Sequence, residues 1–174
     1  MQTPLVITLI GQDRTGLVES VARAVAEHGG NWLESRMCRL GGEFAGILRI
    51  EIPAEKKSSL LDALQKIPGL NVTVRADENK IAPSNARQTK LEIIGHDRPG
   101  IVREISAALA RANVNVEEFS SEVVSAPMSG ENLFKASARL QLPERCDLAA
   151  LKKDLEKIAA DLLVDVSFME LSDK

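Results

Sequence analysis

A short segment that occurs twice constrains this chain more than any other feature. Residues 95–102 (GHDRPGIV) repeat residues 11–18 (GQDRTGLV) 84 positions later in a chain of 174 residues. Each copy follows a short apolar run and precedes apolar residues spaced three and four apart, which is typical of a strand, a tight turn and a helix. An internal repeat of this length predicts two small domains of related fold.

The same order of elements follows each copy of the segment. The elements predicted for the first half are a strand at 5–10 buried on both faces, a helix from Leu17, strands at 31–40 and 43–52, a helix at 56–67 and a strand at 70–74. The second half repeats them from Lys90 to Met169. A βαββαβ order predicts an α+β, ferredoxin-like domain, in which an antiparallel four-stranded sheet carries two helices on one face.

A polar stretch separates the two halves. Residues 76–89 (ADENKIAPSNARQT) show neither helical nor strand periodicity and predict a linker between a first domain at 1–75 and a second at 90–174. The second half also has six extra residues in its hairpin. Pro127, Met128 and Ser129 at this hairpin tip are candidates for contact with a partner protein, because methionine adapts to contact surfaces. A plain surface loop is the alternative interpretation.

The composition excludes several classes of function. The net charge is −3, aromatic residues make up 3% and tyrosine is absent, so direct binding of nucleic acid is not expected. Two isolated cysteines, Cys38 and Cys146, indicate neither a disulfide framework nor a metal site. The sequence begins without a signal segment and has no membrane-spanning apolar run, so a cytoplasmic protein without cofactor or metal is expected.

The repeated turn has the chemistry of a receptor for an amino acid. The first N–H groups of a helix lack partners and suit a carboxylate, so Gly16 and Leu17, or Gly100 and Ile101, are candidate donors. Asp13 or Asp97 could pair with an ammonium group.

Asparagines that precede the second strand of each half, Asn31 and Asn115, could add a donor and an acceptor. At each of these aspartates, glycines and asparagines, the alternative to ligand binding is an ordinary structural role. The aspartates could be N-caps, the glycines turn residues and the asparagines left-handed residues after a helix.

The turn resembles the ACT domain. Its pattern is G-x-D-R-x-G-[IL]-V after a strand, followed by Asn and an apolar residue, and the second copy is the closer match because it has Pro99. The resemblance covers both halves and implies a regulatory module whose ligand, usually an amino acid, binds where two such domains pack edge to edge. It implies that the turn and the start of the second strand, from the same or a neighbouring domain, hold the ligand. Gly11, Gly95 and His96 are also candidate ligand-binding residues. Ligand-binding members often carry a side-chain ligand such as histidine at the position of Gly11 and Gly95, so the resemblance does not identify the effector.

A free-standing pair of these domains resembles the glycine cleavage system transcriptional repressor group, and the segment from Ala126 to Phe134 supports that narrower match. The resemblance implies a non-enzymatic protein that binds an amino acid such as glycine and modulates a partner transcription factor. A regulatory subunit of an amino-acid biosynthetic enzyme is the alternative. Unpaired edge strands and one bare sheet face predict a homodimer.

Two other functions of the same topology fit the residues poorly. A hydrolase acting on acyl phosphates needs a phosphate-binding loop, and the aspartate of the turn would repel phosphate. An RNA-binding module needs aromatic residues on its sheet face. The chain also lacks a recognisable nucleophile–base pair, so no catalytic residue is predicted.

Overall fold

The computed structural model of the chain describes residues 1–77, 87–126 and 130–170. The chain divides into two compact units, Met1–Ala82 and Pro83–Lys174. The elements of the first unit are β1 (Gln2–Gln12), α1 (Leu17–Glu27), β2 (Asn31–Leu40), β3 (Glu43–Pro53), a 3-10 turn (Ala54–Lys56), α2 (Lys57–Gln65) and β4 (Leu70–Ala76). Those of the second are β5 (Arg87–His96), α3 (Ile101–Arg111), β6 (Asn115–Ser125), β7 (Asn132–Leu142), α4 (Leu148–Leu162) and β8 (Val164–Glu170).

Each unit contains an antiparallel four-stranded sheet, with strand orders β2-β3-β1-β4 and β6-β7-β5-β8. These orders confirm the predicted α+β fold of two ferredoxin-like domains. The strands directly after α1 and α3, β2 and β6, each form one edge of their sheet. Each has a bulge at the equivalent place, between Trp32 and Glu34 and between Val116 and Glu118. The two halves of the sequence therefore fold in the same way down to local irregularities.

One face of each sheet packs on its helices and encloses a core. In β1 the buried residues Leu5, Ile7 and Leu9 alternate with exposed ones, and Ile10 is 49% exposed. The prediction of a strand buried on both faces was therefore wrong. An antiparallel sheet with both helices on one side covers only that side, and β-branched residues on the other face still favour a strand.

The helix-free faces of the two sheets differ in chemistry. Ile10 and its counterpart Ile94 are 49% and 42% exposed, but Ile47 of the first sheet, 53% exposed, corresponds to Ser137 of the second. On the second, a shallow trough of about 490 Å³ has charged residues and serines in its lining, including Glu92, Lys135 and Ser137. The two repeats share a backbone plan while presenting unlike surfaces.

Some element boundaries differ from the predicted ones. β5 begins at Arg87 and not at Lys90, because Arg87 pairs with Leu142 and Thr89 is buried, its hydroxyl donating to the Met169 carbonyl at 2.9 Å. β4 extends to Ala76. The predicted linker 76–89 therefore loses residues to a strand at both ends, and its middle, 78–86, lies outside the described residues. The predicted helix 56–67 is shorter, with a 3-10 turn ahead of α2.

A buried carboxylate holds the chain directly after β4. The Asp77 side chain is 7% exposed and accepts hydrogen bonds from Arg49, with Nε–Oδ2 and Nη2–Oδ2 distances of 2.9 and 2.8 Å. This pairing raises the pKa of the Arg49 guanidinium above its usual value. The contact ties the residue that follows β4 to the central strand β3.

Candidate functional site

The candidate site lies at the end of each sheet where the repeated turn leads into a helix. We call residues 11–17 the first loop and residues 95–101 the second loop. Gly16 and Gly100 precede α1 and α3 with positive φ angles of 85° and 101°, and neither helix has a side-chain cap. The interpretation of Asp13 and Asp97 as N-caps was therefore wrong, because a glycine in the left-handed conformation occupies the cap position in both.

Both helix starts leave backbone donors without a partner in the helix. The first bonds within the helices run from the Ser20 amide to the Gly16 carbonyl at 2.9 Å and from the Glu104 amide to the Gly100 carbonyl at 3.0 Å. The amides before Ser20 and Glu104 therefore lack an acceptor in their own helix. Leu17 and Ile101 are 3% and 2% exposed as whole residues, so their side chains lie in the core and are not available to a ligand, whereas Gly16 is exposed and Gly100 half-buried.

The aspartates of the two loops have different surroundings. Oδ2 of Asp13 lies 2.6 Å from Nε of Arg39, near the end of β2. Val123 stands at the position equivalent to Arg39, since it pairs with Phe134 as Arg39 pairs with Phe44. The exposed Asp97 carboxylate has no hydrogen bond or ion pair with any described residue. The second loop thus combines free backbone donors with an unpaired carboxylate.

A hairpin lies beside each loop and fixes it by the same backbone bond. The Asp13 amide donates to the Gly42 carbonyl at 2.9 Å, and the Asp97 amide to the Asn132 carbonyl at 3.0 Å. The hairpin of the second unit is the lengthened one, and Nδ1 of His96 lies 3.7 Å from Oε2 of Glu131 in it. The predicted partner-contact residues of this hairpin, Pro127, Met128 and Ser129, lie outside the described residues.

Gly11 and Gly95 are required by close packing between strands. A Cβ atom at Gly11 would lie 2.1 Å from the Gly69 carbonyl oxygen, and one at Gly95 would lie 2.5 Å from Cα of Val164. A histidine at either position, as in many ligand-binding ACT domains, would collide with the neighbouring strand. The requirement for glycine is therefore structural, and contact of these two residues with a ligand stays a prediction.

The asparagines lie at the opposite end of each sheet from the loops. Asn31 pairs with Glu51, which pairs with Pro4, seven residues before Gly11 on the same strand. At a rise of about 3.3 Å per residue, Asn31 is separated from the first loop by roughly 23 Å along the sheet. Asn115 has the same relation to the second loop through Gln141 and Gln88.

An asparagine therefore cannot share a ligand with the loop of its own unit. The prediction that the loop and the asparagine of the same domain hold one ligand was therefore wrong. That the loop of one domain and the asparagine of a neighbouring domain share a ligand stays a prediction. The strand order already contained this information, because parallel strands begin at the same end of a sheet. The left-handed residues after α1 and α3 are Gly29 and Asn113, and not Asn31 and Asn115.

The arginines next to the aspartates bond to their own unit. Nη2 of Arg14 donates to the Pro68 carbonyl at 3.4 Å, and Nη1 of Arg98 donates to the Asp161 carbonyl at 3.1 Å. Both carbonyls lie at or just beyond the C-terminal end of the second helix of the unit, where a cation is favourable. Both arginines are exposed and each makes one hydrogen bond within its own unit.

Other classes of site find little support in the described residues. Within 1–77, 87–126 and 130–170, no group of three His, Cys, Asp or Glu side chains is arranged to hold a metal ion. Cys38 and Cys146 are free thiols. In the same ranges, no helix combines the length and apolar character needed to cross a bilayer.

Fold and loops together define a tandem of ferredoxin-like domains, each with a strand–turn–helix motif at one end of its sheet. The sequence model of the ACT domain matches residues 3–76 and 91–169. These two matches span most of the chain, which therefore belongs to the ACT domain family.

Relatives of the whole chain include a transcriptional regulator. The chain is 24% identical over 166 residues to the glycine cleavage system transcriptional repressor of Escherichia coli (strain K12), over 91% of this chain and 85% of the repressor. Its structure is similar to that of an unknown protein from Galdieria sulphuraria, with a TM-score of 0.86 and 27% identity over 99% of this chain and 100% of the other.

A crystal structure of a candidate glycine cleavage system transcriptional repressor has a TM-score of 0.66 to this chain. Their sequences are 20% identical, and the match covers 98% of this chain and 99% of the other. At this identity the likeness shows that the two proteins share a fold.

Proposed function

We propose that the chain is a non-enzymatic regulator that binds a small amino acid such as glycine and modulates a partner transcription factor. Membership of the ACT domain family and similarity to a transcriptional repressor of the glycine cleavage system support this function. The observation that carries the proposal is the second loop, where the unpaired Asp97 carboxylate stands beside the free amides at the start of α3.

The chemistry of this loop matches a zwitterion. A ligand carboxylate would accept hydrogen bonds from the amides of Gly100 and Ile101 and would be stabilised by the positive end of the helix dipole. The ligand ammonium would donate to the Asp97 carboxylate. Because the Ile101 side chain faces the core, recognition depends on the backbone and one carboxylate, which suits an amino acid with a small side chain.

A thermal-shift screen of the full chain against the twenty amino acids tests the proposal. At a hundred-fold excess over Kd, a ligand adds about 2.7 kcal/mol to the free energy of unfolding, which raises Tm by roughly 5–10 °C. Asp97→Asn has nearly the same shape without the charge and should abolish the shift. If no amino acid raises Tm, or if the variant responds as the wild type does, the chain does not bind its effector at this loop.

The partner requires a separate experiment. The tagged chain should capture a DNA-binding regulator from a cell extract, and the captured amount should change when glycine is added. Recovery of a biosynthetic enzyme would contradict a transcriptional role.

We further propose that two copies of the chain assemble as a homodimer, because the bulged edge strands β2 and β6 and the apolar residues Ile10 and Ile47 are open to association. Sedimentation equilibrium should show a species of twice the chain's 18.9 kDa mass. A monomer at high protein concentration would contradict this assembly.

A further inference from the structure

We infer that Arg39 makes the two repeats unequal by competing for the ammonium position of the first loop, so that the second loop is the primary ligand site. This inference rests on the proposed function of the second loop. It assigns Arg39 a role in selecting between the repeats.

The two loops have equivalent backbones. Both aspartates follow a glycine-containing strand end, both donate their amide to the adjacent hairpin, and both helices start at a glycine in the left-handed conformation. A difference in binding must therefore come mainly from the side chains that surround each aspartate.

Arg39 is such a difference. Its Nε atom lies 2.6 Å from Oδ2 of Asp13, the atom that a ligand ammonium would contact. The equivalent residue, Val123, has no charge and lies on the same face of β6 at 52% exposure. The nearest arginine in sequence to Asp97, Arg98, donates instead to the Asp161 carbonyl at the end of α4.

The size of the effect follows from the exposure of the pair. The side chains of Arg39 and Asp13 are 70% and 31% exposed, so water screens their attraction. Displacing a pair of this kind should weaken binding at the first loop by about five-fold relative to the second loop. This factor separates the two sites in a titration without eliminating the weaker one.

Exchanging the two residues tests the inference in the full chain. Glycine is titrated into ¹⁵N-labelled protein, and the amide signals of Leu17 and Ile101 report on each loop separately. In the wild type, the midpoint for Ile101 should come at about five-fold lower glycine concentration than that for Leu17.

Arg39→Val should lower the Leu17 midpoint by about the same factor and leave the Ile101 midpoint unchanged. Val123→Arg, the reciprocal change at an exposed strand position, should raise the Ile101 midpoint. Arg39→Lys keeps the cation and serves as the control that should leave both midpoints in place.

The outcomes separate this inference from the proposed function. Equal midpoints in the wild type, or a Leu17 midpoint unaffected by Arg39→Val, would overturn the role of Arg39 while leaving glycine binding established. If neither amide responds to glycine or to any other amino acid, the proposed function and this inference both fail.

Discussion

Nε of Arg39 lies 2.6 Å from Oδ2 of Asp13, and the second repeat, with Val123 in place of Arg39, leaves Asp97 without a described partner. The difference between Arg39 and Val123 thus accompanies a closed ion pair in the first loop and an open carboxylate in the second, among the described residues. The backbone of the turn is alike in the two repeats, whereas its electrostatic surroundings differ.

Gly95→Ala should destabilise the second unit. The added Cβ would lie 2.5 Å from Cα of Val164 and 2.6 Å from the Leu163 carbonyl oxygen, both backbone atoms that cannot rotate away. We expect a loss of about 1–3 kcal/mol in the free energy of unfolding, measured by urea denaturation. Gly100→Ala is the matched comparison, because its Cβ would meet nothing within 4 Å and its cost would come only from the positive φ. Full stability of Gly95→Ala would contradict close packing as the reason for this glycine.

Leu163→Gly should stabilise the second unit. Leu163 has a φ of 55° between α4 and β8, where the first unit has Gly69 with a φ of 72°. A leucine in this conformation costs about 1–2 kcal/mol, part of which is offset because glycine makes the unfolded chain more flexible. The side chain is 62% exposed, so little packing is lost. A net gain of roughly 0.5–1 kcal/mol is expected from thermal unfolding, and Leu163→Ala, which keeps the strain, should give none.

Asp147→Ala should weaken α4. Oδ1 of Asp147 accepts a hydrogen bond from the Ala150 amide at 3.0 Å, which makes Asp147 a side-chain N-cap in contrast to the glycines before α1 and α3. Its loss should cost about 1 kcal/mol in the free energy of unfolding. Asp147→Ser restores a capping oxygen and should recover most of the stability. Equal losses in the two variants would mean that capping is not the cause.

Arg98→Ala should lower the stability of α4 without weakening ligand binding, because Arg98 is not proposed to contact the ligand carboxylate. Nη1 of Arg98 bonds the Asp161 carbonyl in the last turn of this helix, so its removal should cost about 0.5 kcal/mol. The affinity for glycine, measured by calorimetry, should change by less than about two-fold. A large loss of affinity with unchanged stability would instead make Arg98 a receptor for the ligand carboxylate.

The sequence by itself determined the two-domain α+β fold. Strand and helix periods record which residues face the core, and the repeat showed that the second half follows the same plan as the first. The bounds of β2 were predicted to the residue, because Gly30 and Gly41 limit it on both sides. The start of β5 was missed, because residues 87–89 are polar and only pairing with β7 makes them a strand.

The sequence predicted only some of the residues that come together at the candidate site. The turn motif identified Asp97, Gly100 and Ile101 as a group, because all three lie within one short loop. The pairing of Asp13 with Arg39 joins the first loop to the end of β2, and no local sequence pattern predicts such a contact. Only the tertiary structure decided that the asparagines lie at the far end of each sheet and that Gly11 and Gly95 serve close packing. It also decided that, among the described residues, Asp13 is paired and Asp97 is not. Periodicity along a chain encodes burial, whereas the meeting of distant side chains depends on the strand register and on which strand ends come together.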